Sequence, residues 1–165
     1  MSSAAPTCSQ VTNDDLIRIR AVADYQFGSG CGKALFPDEV MVIRSRKTGK
    51  VKGIYYKGKL LATLRPSDGY LALSVDGACR LTKALYPPRY RVVVQDDVLE
   101  FIKQGRNLFS KHVISADPEI RPGEEVLITD SRDHVVAVGR AVLNGVEMKR
   151  FKTGLAVKVR VGEGD

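Results

Sequence analysis

Two hydrophobic periods alternate along this chain. Leu16, Ile19, Ala23 and Phe27 recur at helical spacing and mark one face of a helix. Thr12-Asn13-Asp14-Asp15 just ahead reads as its start. Thr12 or Asn13 can accept from the first free amides, and the aspartates suit the positive end of the helix dipole. The helix should stop near Gly28. From Glu39 the period shortens to two. Val40–Arg46 reads as a strand, Lys47-Thr48-Gly49-Lys50 as a hairpin turn, and Val51–Lys57, Lys59–Arg65 and Tyr70–Ser74 as further strands. Ser74 should cap a helix from Val75 to Leu85, with Ala78, Leu81 and Leu85 turned inward. Pro87-Pro88 breaks the pattern and marks the expected domain boundary.

The second half repeats the alternation with shorter elements. Tyr90–Val94 reads as a strand. Asp97 and Glu100 stand in capping-box positions for a helix whose apolar stripe is Val98, Phe101 and Ile102 and whose end is Gly105. Strands are predicted over Val126–Asp130, Val135–Leu143 and Leu155–Val161. Asn144-Gly145 is read as a turn, and Val146–Phe151 as a short helical turn. Many short strands with one or two helices in so few residues suggest a small barrel. The predicted class is α+β: a tail over residues 1–11, expected to be disordered, a small mixed α/β domain over 12–88, and a β pseudobarrel over 89–165.

Composition narrows the function classes. Of 165 residues, 44% are hydrophobic and 27% charged, an ordinary globular balance. No apolar run approaches the roughly 18 residues of a membrane span. Met1–Gln10 has neither the basic head nor the apolar core of a signal peptide. Cys8, Cys31 and Cys79 are far apart and lack CxxC spacing, which argues against zinc and for free thiols in a reducing cytoplasm. No cofactor is implied.

Net charge is +7, which points to a polyanionic partner, nucleic acid before membrane. Residues 1–90 hold 14 Lys/Arg against 7 Asp/Glu, and residues 91–165 hold 12 against 12, so the excess lies in the first half. Between Glu39 and Asp68 there is no acidic residue, while Arg44, Arg46, Lys47, Lys50, Lys52, Lys57, Lys59 and Arg65 all fall there. On a strand, alternate residues share a face, so Arg44 and Arg46 should project together. A solvated face usually mixes signs, and an unmixed one suits phosphates. Lysines guarding an exposed sheet edge are the competing explanation.

Gly28-Ser29-Gly30-Cys31-Gly32-Lys33 superficially resembles a phosphate loop. The glycine spacing is one residue short, Ala34 replaces the Ser/Thr that would hold magnesium, and a helix precedes it. A flexible turn, able to approach RNA, is the expectation. Cys31 has no base in the sequence to make it a nucleophile.

Four runs in the second half resemble a PUA domain: Arg106-Asn107-Leu108-Phe109-Ser110-Lys111-His112-Val113, residues 116–126 (ADPEIRPGEEV), Ala137-Val138-Gly139-Arg140-Ala141, and residues 151–160 (FKTGLAVKVR). The likeness is to the PUA domain of archaeal tRNA-guanine transglycosylases, the archaeosine family. Ala23-Asp24-Tyr25-Gln26-Phe27-Gly28, Ala34-Leu35-Phe36-Pro37 and residues 61–69 (LATLRPSDG) resemble the domain that precedes it there. The resemblance implies a PUA-type pseudobarrel that binds structured RNA, usually the tRNA acceptor stem and 3′ end. It implies no catalysis, because in that family the active site and zinc ligands lie in a separate barrel domain. Such barrels need about 200 residues or more.

Carried onto this chain, the family's RNA surface points to Gly105, Arg106, Asn107, Phe109, Lys111 and His112. A glycine admits close approach to backbone, the two cations suit phosphate, Asn107 suits base edges or sugar, and the rings suit an unpaired base. Core packing for Phe109 and a structural role for His112 remain open. Lys149, Arg150 and Lys152 form a second cluster, either RNA contacts or a solvated loop. Arg44, Arg46, Lys47 and Lys50 complete the candidates. His134 has no partner at a meaningful spacing. The expected partners are tRNA and a separately encoded transglycosylase-type catalytic subunit. The alternative is a translation-initiation or ribosome-associated adaptor, since such factors also join a small domain to PUA.

Overall fold

The computed structural model describes residues 7–164. The chain forms two compact units, one ending at Ala84 and one beginning at Leu85. This division falls just before the expected boundary at Pro87-Pro88. The Leu85 carbonyl accepts from Arg91 Nη1 at 2.6 Å, which ties the approach segment to the second unit.

The first unit is a five-stranded meander with helices. Strands β1 (Ser9–Gln10), β2 (Met41–Arg44), β3 (Val51–Tyr56), β4 (Lys59–Leu64) and β5 (Leu71–Leu73) lie in that order, all antiparallel. Helix α1 (Asn13–Phe27) starts at Thr12, whose hydroxyl accepts from the Asp15 amide, and buries Leu16, Ile19, Ala23 and Phe27 as its period requires. Helix α3 (Val75–Leu81) is capped by Ser74 and buries Ala78 and Leu81.

Expectations for the tail and for the glycine-rich segment fail in this unit. Ser9 and Gln10 are not tail but an edge strand paired to Val42 and Met41. Thr7, Cys8 and Val11 have no regular secondary structure, and residues 1–6 of the expected tail lie outside the described residues. The Gly28–Lys33 segment is not a flexible turn, because Cys31–Leu35 forms a short helix, α2, packed beside α1. The Asp24 carboxylate accepts from the Gly32 amide at 2.7 Å, and Cys31 is buried. The cysteines form no disulfide among the described residues.

The second unit is a curled six-stranded sheet in the order β7-β11-β10-β9-β6-β8. Its strands are β6 (Arg91–Val94), β7 (Leu108–Phe109), β8 (Val113–Ala116), β9 (Glu125–Thr129), β10 (Val135–Ala141) and β11 (Leu155–Gly162). Only β6 and β9 run parallel. The two outer strands, β7 and β8, are joined by the 3-10 turn Ser110–His112. That short link draws the ends of the sheet toward each other, giving a nearly closed, barrel-like layer. All five residues of β9 are buried, as suits a central strand, and Val92, Leu108, Ile120, Ile128, Met148 and Ala156 fill the interior.

Buried charges are matched at the rim. Arg91 forks onto Asp133 at 3.0 and 3.1 Å, Glu125 is paired with Arg160, and Asp117 accepts from the Tyr90 and Glu119 amides at 2.9 Å each.

Three local readings change here. The chain enters helix α4 (Leu99–Lys103) through a 3-10 turn, Asp96–Val98, so Asp97 lies within that turn and neither helical start has a side-chain cap. Phe101 leaves the predicted stripe and is 52% exposed, while Val98 and Ile102, four residues apart, share the inward face. Asn144-Gly145 is not a turn but the start of helix α5 (Gly145–Arg150). Asn144 and Glu147 form a reciprocal capping box, and a Cβ at Gly145 would stand 1.7 Å from the Asp117 carbonyl oxygen.

Candidate nucleic-acid interface

Helix α4 ends at Gly105, whose φ of +87° suits a residue without a side chain. Its amide donates to the Ile102 carbonyl, and the Arg106 amide to that of Phe101. This reversal sets the Arg106 guanidinium 5.6 Å from the centroid of the exposed Phe101 ring. Next, the Asn107 side-chain oxygen accepts from the Val159 amide at 3.0 Å. Leu108 is buried opposite Val157, Phe109 stands opposite Leu155, and the Ser110 amide donates to the Gly154 carbonyl at 2.9 Å. The Ser110–His112 turn then lies against α5.

The segment from Asn107 to His112 therefore runs antiparallel to the segment from Val159 back to α5. Along this edge the fold assembles Gly105, Arg106, Asn107, Phe109, Lys111 and His112 with Lys149 and Arg150 from the last turn of α5. Lys152 lies in the loop between α5 and β11. Among the described residues, Arg106, Lys111, Lys149, Arg150 and Lys152 have no carboxylate within ion-pair distance. A shallow cleft lined by Ala116, Pro118, Gly145 and Val146 opens beside Lys149 and Arg150.

The geometry refines the candidates. Phe109 does not pack in the core, because it is 48% exposed on an edge strand while its neighbour Leu108 takes the buried position. Asn107 spends its acceptor on Val159, which leaves its amide nitrogen to donate. Phe101, read from sequence as core, joins the site residues. Its only sequence signal is that it lies off the Val98–Ile102 line. His112 is half-buried, and its carbonyl accepts from the Gln95 amide. His134 is paired with Asp130 at 3.3 Å.

The first unit's cations divide. Arg44 ends β2 and is paired with Asp15, while Arg46 falls in the turn, so the two do not share a strand face as expected. Lys59 lies 3.9 Å from Asp76 and Arg65 lies 3.4 Å from Asp68. Lys47 and Lys50 are exposed on the Ser45–Lys50 turn, which is braced by Ser45 N–H to Lys50 O and Gly49 N–H to Ser45 O, both 2.8 Å. Among the described residues no group of three His, Cys, Asp or Glu side chains is placed to hold a metal, and no helix is long and apolar enough to cross a membrane.

Comparison with known proteins agrees with this architecture. Residues 17–88 match the patch-forming domain C2 of tRNA-guanine transglycosylase, and residues 90–162 match the PUA domain. The chain is 45% identical over 153 residues to the tRNA-guanine(15) transglycosylase of Methanothermobacter thermautotrophicus, covering 93% of this chain and 23% of that protein. Against the Thermococcus onnurineus protein of that name it is 50% identical over 144 residues, covering 87% and 24%. It thus spans about a quarter of the length of these curated relatives. A conserved PUA domain protein from Thermoplasma acidophilum has the same fold, with TM-score 0.71, 22% identity and coverage of 96% and 95%. So does a hypothetical protein from Pyrococcus horikoshii, at TM-score 0.76, 21% identity and 96% of both chains. The chain is therefore a PUA-domain protein, and its C2 and PUA domains resemble the C-terminal part of archaeal tRNA-guanine transglycosylases.

Proposed function

We propose that this chain is a non-catalytic RNA-binding protein that recognises tRNA by its acceptor stem and 3′ end. The observation that carries the reading is the antiparallel edge of the PUA domain, where exposed rings and unpaired cations from two distant segments come together. Phe101 and Phe109 offer faces for unpaired bases. Arg106, Lys111, Lys149, Arg150 and Lys152 offer charge for the phosphates around them. Gly105 keeps the backbone open to close approach, and the Asn107 amide nitrogen donates to a base or sugar acceptor. His112 adds a ring beside Lys111. Arg46, Lys47 and Lys50 of the first unit add sequence-independent attraction.

In this reading the chain works in the cytoplasm and delivers tRNA to a separate catalytic subunit of the transglycosylase type. The test is fluorescence anisotropy with intact tRNA and with tRNA lacking its unpaired 3′ nucleotides. Arg106→Ala should remove most of the preference for the intact end. Equal loss on both RNAs would refute selection by this edge. Co-purification of ribosomal subunits, in place of tRNA and a transglycosylase-type barrel protein, would favour the adaptor role.

A further inference from the structure

Tyr25 and Tyr70 form an exposed aromatic pair in the first unit that the PUA edge does not use. Their ring planes differ by 7°, with centroids 6.3 Å apart. The neighbouring Tyr25 hydroxyl is the main cause holding the Tyr70 hydroxyl above the usual phenol range. Tyr25 is 79% exposed and Tyr70 37%. The pair is also positioned rigidly. Gln26, next to Tyr25, donates to the Leu71 carbonyl at 3.0 Å and accepts from the Leu71 amide at 2.8 Å. The Tyr70 amide donates to the Asp68 carboxylate at 2.9 Å, and the Tyr70 carbonyl accepts from the Arg65 amide. The charge of Asp68 is matched by Arg65 at 3.4 Å.

The topology places this pair beside the basic turn. In an antiparallel meander, alternate turns fall at the same end. The β2–β3 turn, with Arg46, Lys47 and Lys50, and the β4–β5 turn, ending at Tyr70, share one end of the sheet. They are two strand spacings apart, about 10 Å. Helix α1 follows that end. Its first turn pairs with Arg44 at the close of β2, and its last turn is bonded to Leu71 at the opening of β5. A preformed aromatic plate with cations a short step along the same rim is the arrangement that holds a single strand, one base stacked and the adjoining phosphates on the lysines.

We propose that the Tyr25–Tyr70 pair and the Ser45–Lys50 turn form a second RNA subsite, which stacks an unpaired base and grips the phosphates beside it. The inference rests on the RNA-binding reading above and adds to it a site for single-stranded nucleotides in the C2 domain.

The test uses the full chain with two labelled probes, an oligoadenylate of roughly ten nucleotides and a blunt RNA duplex. Tyr25→Ala should weaken the oligoadenylate roughly tenfold, the scale of one stacked base, and leave the duplex unchanged. Tyr25→Phe, which keeps the ring and loses the hydroxyl, should bind both probes like wild type. The chain has no tryptophan, so quenching of tyrosine emission by the oligoadenylate reports the stack directly, and Tyr25→Ala should reduce it. Tyr25 is a surface residue on a capped helix, so the variant should keep its thermal transition. Unchanged oligoadenylate binding by Tyr25→Ala, or equal loss on both probes, overturns the subsite and leaves the RNA-binding reading standing. Wild-type chain that binds neither probe nor tRNA overturns that reading and the subsite with it.

Discussion

Replacing Lys47 and Lys50 together by alanine tests how the structure apportions the basic first unit. Eight cations lie between Glu39 and Asp68, and their sequence offers no way to rank them. The fold pairs Arg44 with Asp15, Lys59 with Asp76 and Arg65 with Asp68. Lys47 and Lys50 stand exposed on a braced turn. Each phosphate contact contributes about 0.7–0.9 to the slope of log affinity against log salt, so the double variant should lower that slope by roughly 1.4–1.8. Between about 50 and about 200 mM salt, wild type should then lose roughly ninefold more affinity for tRNA than the variant. Anisotropy titrations with labelled tRNA over that range measure both slopes. Arg44→Ala is the internal control. Its charge is already met by Asp15, so the slope should stay near wild type. An unchanged slope in the lysine variant, or an equal drop in Arg44→Ala, would refute the division into paired and available cations.

Two stability predictions follow from the local geometry. Gly145→Ala would put a methyl group 1.7 Å from the Asp117 carbonyl oxygen, and backbone must move on both sides. It should cost about 3 kcal/mol or more, read as a clear fall in the thermal midpoint; an unchanged midpoint would contradict the close approach. The second concerns acid. The Arg44 guanidinium, hydrogen-bonded to Asp15, holds that carboxyl below its ordinary range against the opposing effect of burial. Asp130 is lowered too: burial pushes it up, and the His134 and Arg132 amides with the His134 ring more than offset that. Both native values lie below an unfolded value of about 3.9. The stability they contribute is present above that pH and is lost as the pH falls through the native values. Urea unfolding at about pH 5 and about pH 3 should show a shallower loss for Asp15→Asn than for wild type.

Much of the candidate site was legible from the chain, though not its full membership. The PUA resemblance led to Gly105–His112, and the charge pattern led to Lys149, Arg150 and Lys152. That these two segments lie side by side follows from the pairing of β7 with β11, a contact between residues about fifty apart in sequence. Phe101 escaped notice because an apolar residue beside Val98 and Ile102 looks inward until the helix axis is placed over the sheet. Tyr25 and Tyr70 escaped for a related reason, since nothing local relates the end of a helix to the start of a strand forty-five residues later.

What the sequence determined by itself is the local layer. Helix α1, its Thr12 start and its four buried positions depend on a period and a cap, both properties of neighbouring residues. The same holds for the Ser74 cap and for the long strands β3, β4, β10 and β11. The tertiary structure decided everything that rests on distant partners. Ser9–Gln10 is too short to show a period and becomes a strand only because β2 has a free edge. Asn144-Gly145 reads as a turn in sequence but starts helix α5, where the Asp117 backbone allows only glycine at the second position. The run of cations without an acid looked uniformly basic because its partners, Asp15 and Asp76, lie outside it. Periodicity and capping are short-range and survive in one dimension; strand edges, close backbone approaches and ion pairs exist only once the chain has returned on itself.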